Sequence, residues 1–336
     1  MELKYPDKKV GIICTIGPAS WDEDVMRSMI KNGMNIARVN GAFADRDEML
    51  RVENLVKGIS EKVELMIDVK GPEVRMNKFD EVIDIFPGDE LEIGSDNSSK
   101  IYPANNPTIY KKLSKGQRIV VGDGDVVLEV IDILEKSFRV KVVAGSKLKP
   151  GKALNFPGFN LDEPPLTEND RNLLDYAIER GWEFVSASFI KDTNSAKFIR
   201  DYIEGSKIKF IAKIEDNDGV RNIRDIAPKV DMIMVARGGL GVDMGLETVG
   251  ISQKKIMDAA REFNVPAIVA TQMLESMAEN PYPTRAETND VATALFMGAS
   301  YLMLSIESSM GKHPVEAVEF LSKVDAEYAK YIKELA

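Results

Sequence analysis

The sequence predicts an α/β fold, a (β/α)8 TIM barrel with a small all-β lid domain inserted after the third strand. Three observations predict it. Short β-branched runs alternate with amphipathic helical stretches along most of the chain, which is the signature of parallel βα units. Eight such units can be counted, three before and five after one interruption, and eight close a barrel. The interruption, from about residue 74 to 157, is rich in turn residues and has no sustained helical period. A doubly wound open sheet is the runner-up, but eight short strands favour closure.

The elements follow in order. Residues 10–16 (VGIICTI) form the first strand, ended by Gly17 and Pro18. Ser20 and Glu23 have capping-box spacing ahead of a helix whose apolar positions are Val25, Met29 and Ile30. Gly33 stops that helix, and residues 35–40 (NIARVN) are the second strand. A helix carrying Met49, Leu50 and Leu55 precedes the third strand, residues 64–70 (ELMIDVK). In the insert, Pro87–Gly88 and Gly122–Asp123–Gly124 punctuate short strands, and Phe156–Pro157–Gly158 marks the return. Five further strands are expected at 184–190, 209–215, 232–236, 267–272 and 301–305, each followed by a helix. One of these helices opens on the capping box Thr284 to Glu287, and the last runs from about Pro314. The expected domains are therefore 1–73 with 158–336 as barrel and 74–157 as insert.

Composition narrows the chemistry. Cys14 is the only cysteine and His313 the only histidine, which excludes a disulfide framework and His-clustered zinc. Cys14 reads as a core residue and His313 as a helix-capping or surface residue. With 44 basic against 54 acidic residues the net charge is −10, which opposes broad binding to nucleic acid or anionic lipid. No apolar run reaches the length of about 18 residues needed to span a bilayer, and the first ten residues lack a signal-peptide core. A soluble, cytoplasmic protein is expected, with carboxylates, Lys, Arg, Ser, Thr and a hard metal left to do the chemistry.

In such a barrel the site lies at the C-terminal ends of the strands. Those ends carry Arg38 and Asn40, Asp68 and Lys70, Ser186 and Ser188, Lys213 and Glu215, Arg237, Thr271 and Gln272, and Ser305 with Glu307. Lys213 and Glu215 are two apart, so they share a face. Each pair alone is as readily a structural ion pair; Arg38 and Asp68 in particular could be a buried one. Together, four cations (Arg38, Lys70, Lys213 and Arg237) converging with carboxylates suit an anionic substrate held partly through a divalent metal. The Gly-rich stretch after Arg237 lacks dinucleotide-binding spacing, yet its N–H groups could cradle a carboxylate or phosphate.

The chain resembles the pyruvate kinase family along nearly its whole length. The matching stretches are 13–20 (ICTIGPAS), 33–40 (GMNIARVN), 68–75 (DVKGPEVR), 155–158 (NFPG), 187–190 (ASFI), 212–215 (AKIE), 234–238 (MVARG), 270–277 (ATQMLESM) and 283–287 (PTRAE). The resemblance implies phosphoryl transfer from phosphoenolpyruvate to ADP, giving pyruvate and ATP, in a metal-dependent kinase of glycolysis. It implies catalytic roles for Lys213, Thr271, Arg38, Ser305 and Glu307: the lysine neutralises the phosphoryl group and the enolate, Thr271 stands beside the enolate methylene, and Ser305 and Glu307 lie near a proton relay. Substrate binding is implied for Gly238, Gly239, Ser188 and Arg75, and nucleotide binding for Arg38, Asn40 and Lys152. Glu215 is the implied ligand of Mg2+ or Mn2+, and Asn40 and Asp68 of a monovalent cation. A homodimer through the barrel is also implied.

The departures from the family pattern sit at the ion sites. Gly239 stands where the family has a second metal-ligating aspartate; Ala42 and Val69 replace monovalent-cation ligands; Phe43 replaces a nucleotide-side histidine; Ile306 replaces a glycine. A weakened divalent site and no requirement for K+ are therefore expected. The family's C-terminal regulatory domain is expected to be absent, and with it any response to sugar-phosphate effectors. Two alternatives stay open: a catalytically impaired paralogue that binds nucleotide or small carboxylates, and another enolate reaction on a pyruvate-like substrate.

Overall fold

Residues 10–335, other than 123, 160 and 162, are described by a computed structural model of the chain. Asp123, expected in a turn, lies outside the described residues, as do the first nine positions. Eight parallel strands close a barrel: β1 Gly11–Thr15, β2 Met34–Asn40, β3 Glu64–Val69, β4 Phe184–Ala187, β5 Lys209–Ile214, β6 Met232–Ala236, β7 Ala267–Ala270 and β8 Tyr301–Leu304. Each strand pairs with its sequence neighbours, and β1 pairs with β8 to complete the ring.

Side chains alternate across the barrel wall, so every second residue points inward. The inward set is Ile13, Ile36, Met66, Phe184, Ile211, Met232, Met234, Ile268, Ala270 and Met303, all buried. The intervening residues, such as Cys14, Ala37, Val39 and Val235, are buried as well. Burial on both faces is why these strands read as continuous apolar runs rather than alternating ones. Two residues beyond the inward apolar set, the same parity reaches Thr15, Arg38, Asp68, Ser186 and Lys213. The barrel interior thus turns from apolar to polar at the C-terminal ends of its strands. Gly11 is small for a steric reason: a Cβ there would fall 2.3 Å from the Tyr301 ring.

The second compact unit comprises Pro72–Glu163 together with Gly239–Glu247. Its main sheet has six antiparallel strands in the order Val74–Arg75, Ala153–Asn155, Arg118–Val121, Val126–Ile133, Ser137–Ala144 and Glu90–Gly94. Ile93, Ile119, Leu128, Phe138, Val140 and Leu154 lie in its core. The unit runs past residue 157 because Phe156 belongs to this core, with Phe159 and Leu161 packed against it. Gly239–Glu247 joins the same unit, and within it Asp243 Oδ1 accepts from the Gly158 N–H at 2.9 Å.

Local details depart from the sequence expectations. Asp22, not Ser20, caps the first helix (Glu23–Lys31), accepting from the N–H groups of Asp24 and Val25. Ser20 belongs to a separate tight turn, Pro18–Ser20, where its hydroxyl accepts from the Gly17 N–H at 3.1 Å. The helix consequently buries Met26 and Met29, while Val25 and Ile30 are half-buried. The second helix, Arg46–Ile59, buries Met49, Val52 and Val56 and leaves Leu50 exposed. The box at Thr284 and Glu287 forms as expected. Strands β4 and β7 stop early, at Ala187 and Ala270, because Phe189 (φ 57°) and Thr271 (φ 74°) leave the extended region. Cys14 is fully buried, and burial pushes its thiol pKa up. The His313 carbonyl accepts the Ala317 N–H at the start of the last helix.

Candidate active site at the barrel mouth

Asp68, at the end of β3, gathers the polar interior. Its Oδ2 accepts from Arg38 Nε at 2.7 Å and its Oδ1 from Lys213 Nζ at 3.1 Å. Arg38 also donates through Nη1 to Thr15 Oγ1 at 2.6 Å, and Thr15 passes its own proton donor to the Leu304 carbonyl. Lys213 Nζ donates further to Ser188 Oγ at 2.6 Å, and Ser188 Oγ donates to the Val69 carbonyl. Lys213 thus pairs with Asp68 on β3. Strands β2, β3 and β5 place these groups by register, since Arg38, Asp68 and Lys213 all share the inward parity.

Electrostatics follow from burial and these pairings. Burial alone would raise the pKa of Asp68, but Lys213 and Arg38 outweigh it and hold the carboxylate below its usual range. Burial works against the Lys213 ammonium; Asp68 and Glu215 more than compensate, so its pKa is raised. Glu215 stands one residue beyond β5, and its Oε1 accepts from the Phe189 N–H at 2.7 Å. Burial pushes its pKa up, with Lys213 opposing. The mouth therefore brings Arg38 and Lys213 together with Asp68 and Glu215, and the two cations hold Asp68 ionised.

On the opposite arc, Thr271 follows β7 with φ 74°, and Gln272 with φ 54°. A β-branched residue in the left-handed region is a true outlier and costs about 1–3 kcal/mol. Arg237 holds this turn: its guanidinium donates to the carbonyls of Ala270 and Thr271 and to Asp290. Arg237 accordingly does not join the Arg38–Asp68–Lys213 cluster, against the expectation that four cations converge; of Lys70, the backbone N–H donates to Asp170. Glu307 is fully enclosed and accepts from the N–H groups of Leu274 and Ser305, at 3.1 and 2.7 Å. Both of its oxygens are thus engaged in tying the β7 and β8 exits together. Ser305 caps the short helix Ile306–Ser309, its carbonyl accepting from the Ser308 and Ser309 hydroxyls.

The remaining expected residues divide between the two units. Asn40 lies at the end of β2, its Oδ1 accepting from the Ala42 N–H at 3.2 Å. Gly238 opens the helix Arg237–Met244 in the barrel unit, and a Cβ on it would meet Thr271 Cγ2 at 3.2 Å. Gly239 groups with the second unit. So do Arg75, whose Nε donates to Glu73 at 2.6 Å, and Lys152, which pairs with Asp125 at 3.2 Å. Sequence reasoning missed Thr15, although the strand-end rule applied to β1 would have found it. It also missed Asp290 and the strained Phe189, for which a helix-interior acid and a phenylalanine give no local signal.

The fold and the site define a (β/α)8 barrel with a charged, polar mouth at the C-terminal ends of its strands. Residues 7–318 match the family described as pyruvate kinase, barrel domain. The chain is 37% identical over 330 residues to the pyruvate kinase of Eimeria tenella, covering 93% of this chain and 62% of that protein. It is 34% identical over 332 residues to the pyruvate kinase of Thermotoga maritima, covering 96% and 71%. The crystal structure of a pyruvate kinase from Cryptosporidium parvum superposes with a TM-score of 0.88 at 30% identity, covering 97% of this chain and 70% of that one. The chain belongs to the pyruvate kinase family.

Proposed function

We propose that the chain transfers the phosphoryl group of phosphoenolpyruvate to ADP, leaving pyruvate and ATP. Lys213 supports this reading most directly. An ammonium has three N–H donors; Asp68 and Ser188 take two, which leaves the third for a ligand in the mouth. Phosphoryl transfer needs positioned charge more than a protein nucleophile. In this reading Lys213 neutralises the phosphoryl oxygens and then the enolate oxygen, Arg38 adds charge beside it, and Ser188 keeps the lysine in place. Thr271 stands beside the enolate methylene, where a proton must arrive to complete pyruvate. Arg75 and Lys152 serve the phosphate and nucleotide side, and the N–H groups of Gly238 and Gly239 the substrate carboxylate.

Among the described residues no three His, Cys, Asp or Glu gather into a metal cage. Glu215 is a single hard oxygen donor at the mouth, which suits Mg2+ or Mn2+ taking its remaining ligands from substrate and water. When bound, such a cation supplies Lewis-acid polarisation of the substrate oxygens. The monovalent site does not fit: Asp68 is occupied by two side-chain cations, Asn40 Oδ1 by an N–H, and positions 42 and 69 are Ala and Val. We therefore propose that K+ is not required.

A cytoplasmic location and a homodimer through the outer barrel helices belong to the same reading. No helix among the described residues is long and apolar enough to cross a membrane. The test is pyruvate formation from phosphoenolpyruvate and ADP with Mg2+ and Mn2+ scanned. Turnover that is equal within twofold in K+ and tetramethylammonium and that Lys213→Met abolishes is expected. Absence of turnover under every metal would overturn the reading.

A further inference from the structure

We propose that Arg237, oriented by Asp290, is a positioning residue that presents the Thr271 hydroxyl to the reacting atoms by fixing the left-handed backbone on which it sits. This rests on the phosphotransferase reading above, in which Thr271 faces the enolate methylene. Arg237 is nearly buried and turned toward the exit of β7. Its Nε donates to the carbonyls of Ala270 and Thr271, both at 3.1 Å, and its Nη2 to the Thr271 carbonyl at 2.5 Å and to Met273 Sδ at 3.0 Å. Its Nη1 donates to Asp290 Oδ2 at 2.6 Å, from the helix Arg285–Phe296. One planar fork therefore grips two successive carbonyls while its far edge is anchored to another element. A lysine, with a compact point charge, cannot reproduce that grip.

Thr271 and Gln272 are both left-handed, at φ 74° and 54°, a pairing that threonine does not adopt without outside restraint. Glycine at 238 leaves the Thr271 side chain room, since a Cβ there would lie 3.2 Å from Thr271 Cγ2 and press on it. Further along the same loop, Glu307 holds the Leu274 N–H, and Glu287 holds the N–H and hydroxyl of Ser276. The loop is thus pinned at three points from three elements, and Arg237 is the pin on Thr271 itself.

The full chain serves for the test, with Arg237→Gln, Arg237→Lys, Asp290→Asn, Thr271→Ala and the double variant Arg237→Gln/Thr271→Ala. Two activities are read: pyruvate formation, and exchange of the pyruvate methyl protons with D2O. Arg237→Gln should lower kcat and the exchange rate at least 30-fold, with the KM for phosphoenolpyruvate within threefold. Arg237→Lys should recover no more than a tenth of the loss. The double variant should be no slower than Thr271→Ala by more than twofold, because the two residues act through one hydroxyl. A double variant that loses the full 30-fold again, or an Arg237→Gln variant within twofold of the parent, overturns the proposal. If Arg237→Gln does not fold, Asp290→Asn takes its place with an expected loss of three- to tenfold. If the parent shows neither activity, the phosphotransferase reading fails separately. Amide exchange of residues 271–274 then decides the clamp: at least tenfold faster in Asp290→Asn upholds it, and an unchanged rate overturns it.

Discussion

Lys213 Nζ lies 3.1 Å from Asp68 Oδ1, across side chains that are only 14% and 3% exposed. The pair joins β5 to β3 at the depth where the barrel interior turns polar. Removing Asp68 leaves Lys213 and Arg38 as neighbouring buried cations, and losing one partner of such a group costs about 3–5 kcal/mol. The unfolding free energy of Asp68→Ala from urea titration should therefore be lower by that margin, with the midpoint falling accordingly. Lys213→Met, which keeps the packing of the stem, should lower pyruvate formation at least 100-fold. A Lys213→Met enzyme within tenfold of the parent would show that the ammonium is structural.

Gly239→Asp tests the proposed divalent site. In the proposed reading, a carboxylate at this position restores the second hard ligand of the family pattern and adds to that of Glu215. The half-saturating Mg2+ concentration for pyruvate formation is expected to fall at least tenfold. An unchanged or weaker Mg2+ dependence would mean that position 239 does not face the cation.

Glu307 sets a pH signature. Burial raises its pKa, against the pull of the backbone N–H groups it accepts. A carboxyl whose pKa is higher folded than unfolded binds more protons in the native state. Its contribution to stability is therefore full at acid pH and declines as pH rises from the ordinary carboxylate pKa, near 4.3, through the raised one. Glu307→Gln does not titrate. The stability of the parent relative to Glu307→Gln, from urea unfolding at a series of pH values, should fall as pH rises through that window. A difference that grows with pH instead would contradict the raised pKa.

Gly11→Ala probes the other end of the barrel. The added Cβ would sit 2.3 Å from the Tyr301 ring on the paired strand β8. Overpacking of this kind costs about 1–3 kcal/mol. A matching fall in Tm is expected, and the same substitution made in a Tyr301→Leu background should cost clearly less. Equal costs in both backgrounds would place the strain elsewhere.

Much of the architecture was legible because it is written in short-range patterns. Eight β-branched runs separated by capped helices imply eight parallel units, and the strand-end rule already put Arg38, Asp68 and Lys213 at the barrel mouth. Caps were harder: Asp22 and Ser20 are both good N-caps, and only the tight turn begun by Pro18 decided between them. Strand ends were harder still. The runs through Phe189 and Thr271 look extended in sequence, yet Glu215 takes the Phe189 N–H and Arg237 the Thr271 carbonyl, which bends both out of the strand.

By itself, the sequence determined the barrel, the all-β insert and the residues at the strand ends. Those follow from periodicity, turn chemistry and residue type, which are local properties of a chain; the departures at positions 42, 69 and 239 are legible only beside the family pattern the chain resembles. Only the tertiary structure decided who pairs with whom. Asp68 takes Lys213 and Arg38, Glu307 bridges two loops, and Arg237 turns away from the cation cluster to hold Thr271. The reason is physical. An ion pair is settled by which strands lie side by side and which groups are buried together, and closure of the barrel brings together residues as far apart as Thr15 and Leu304.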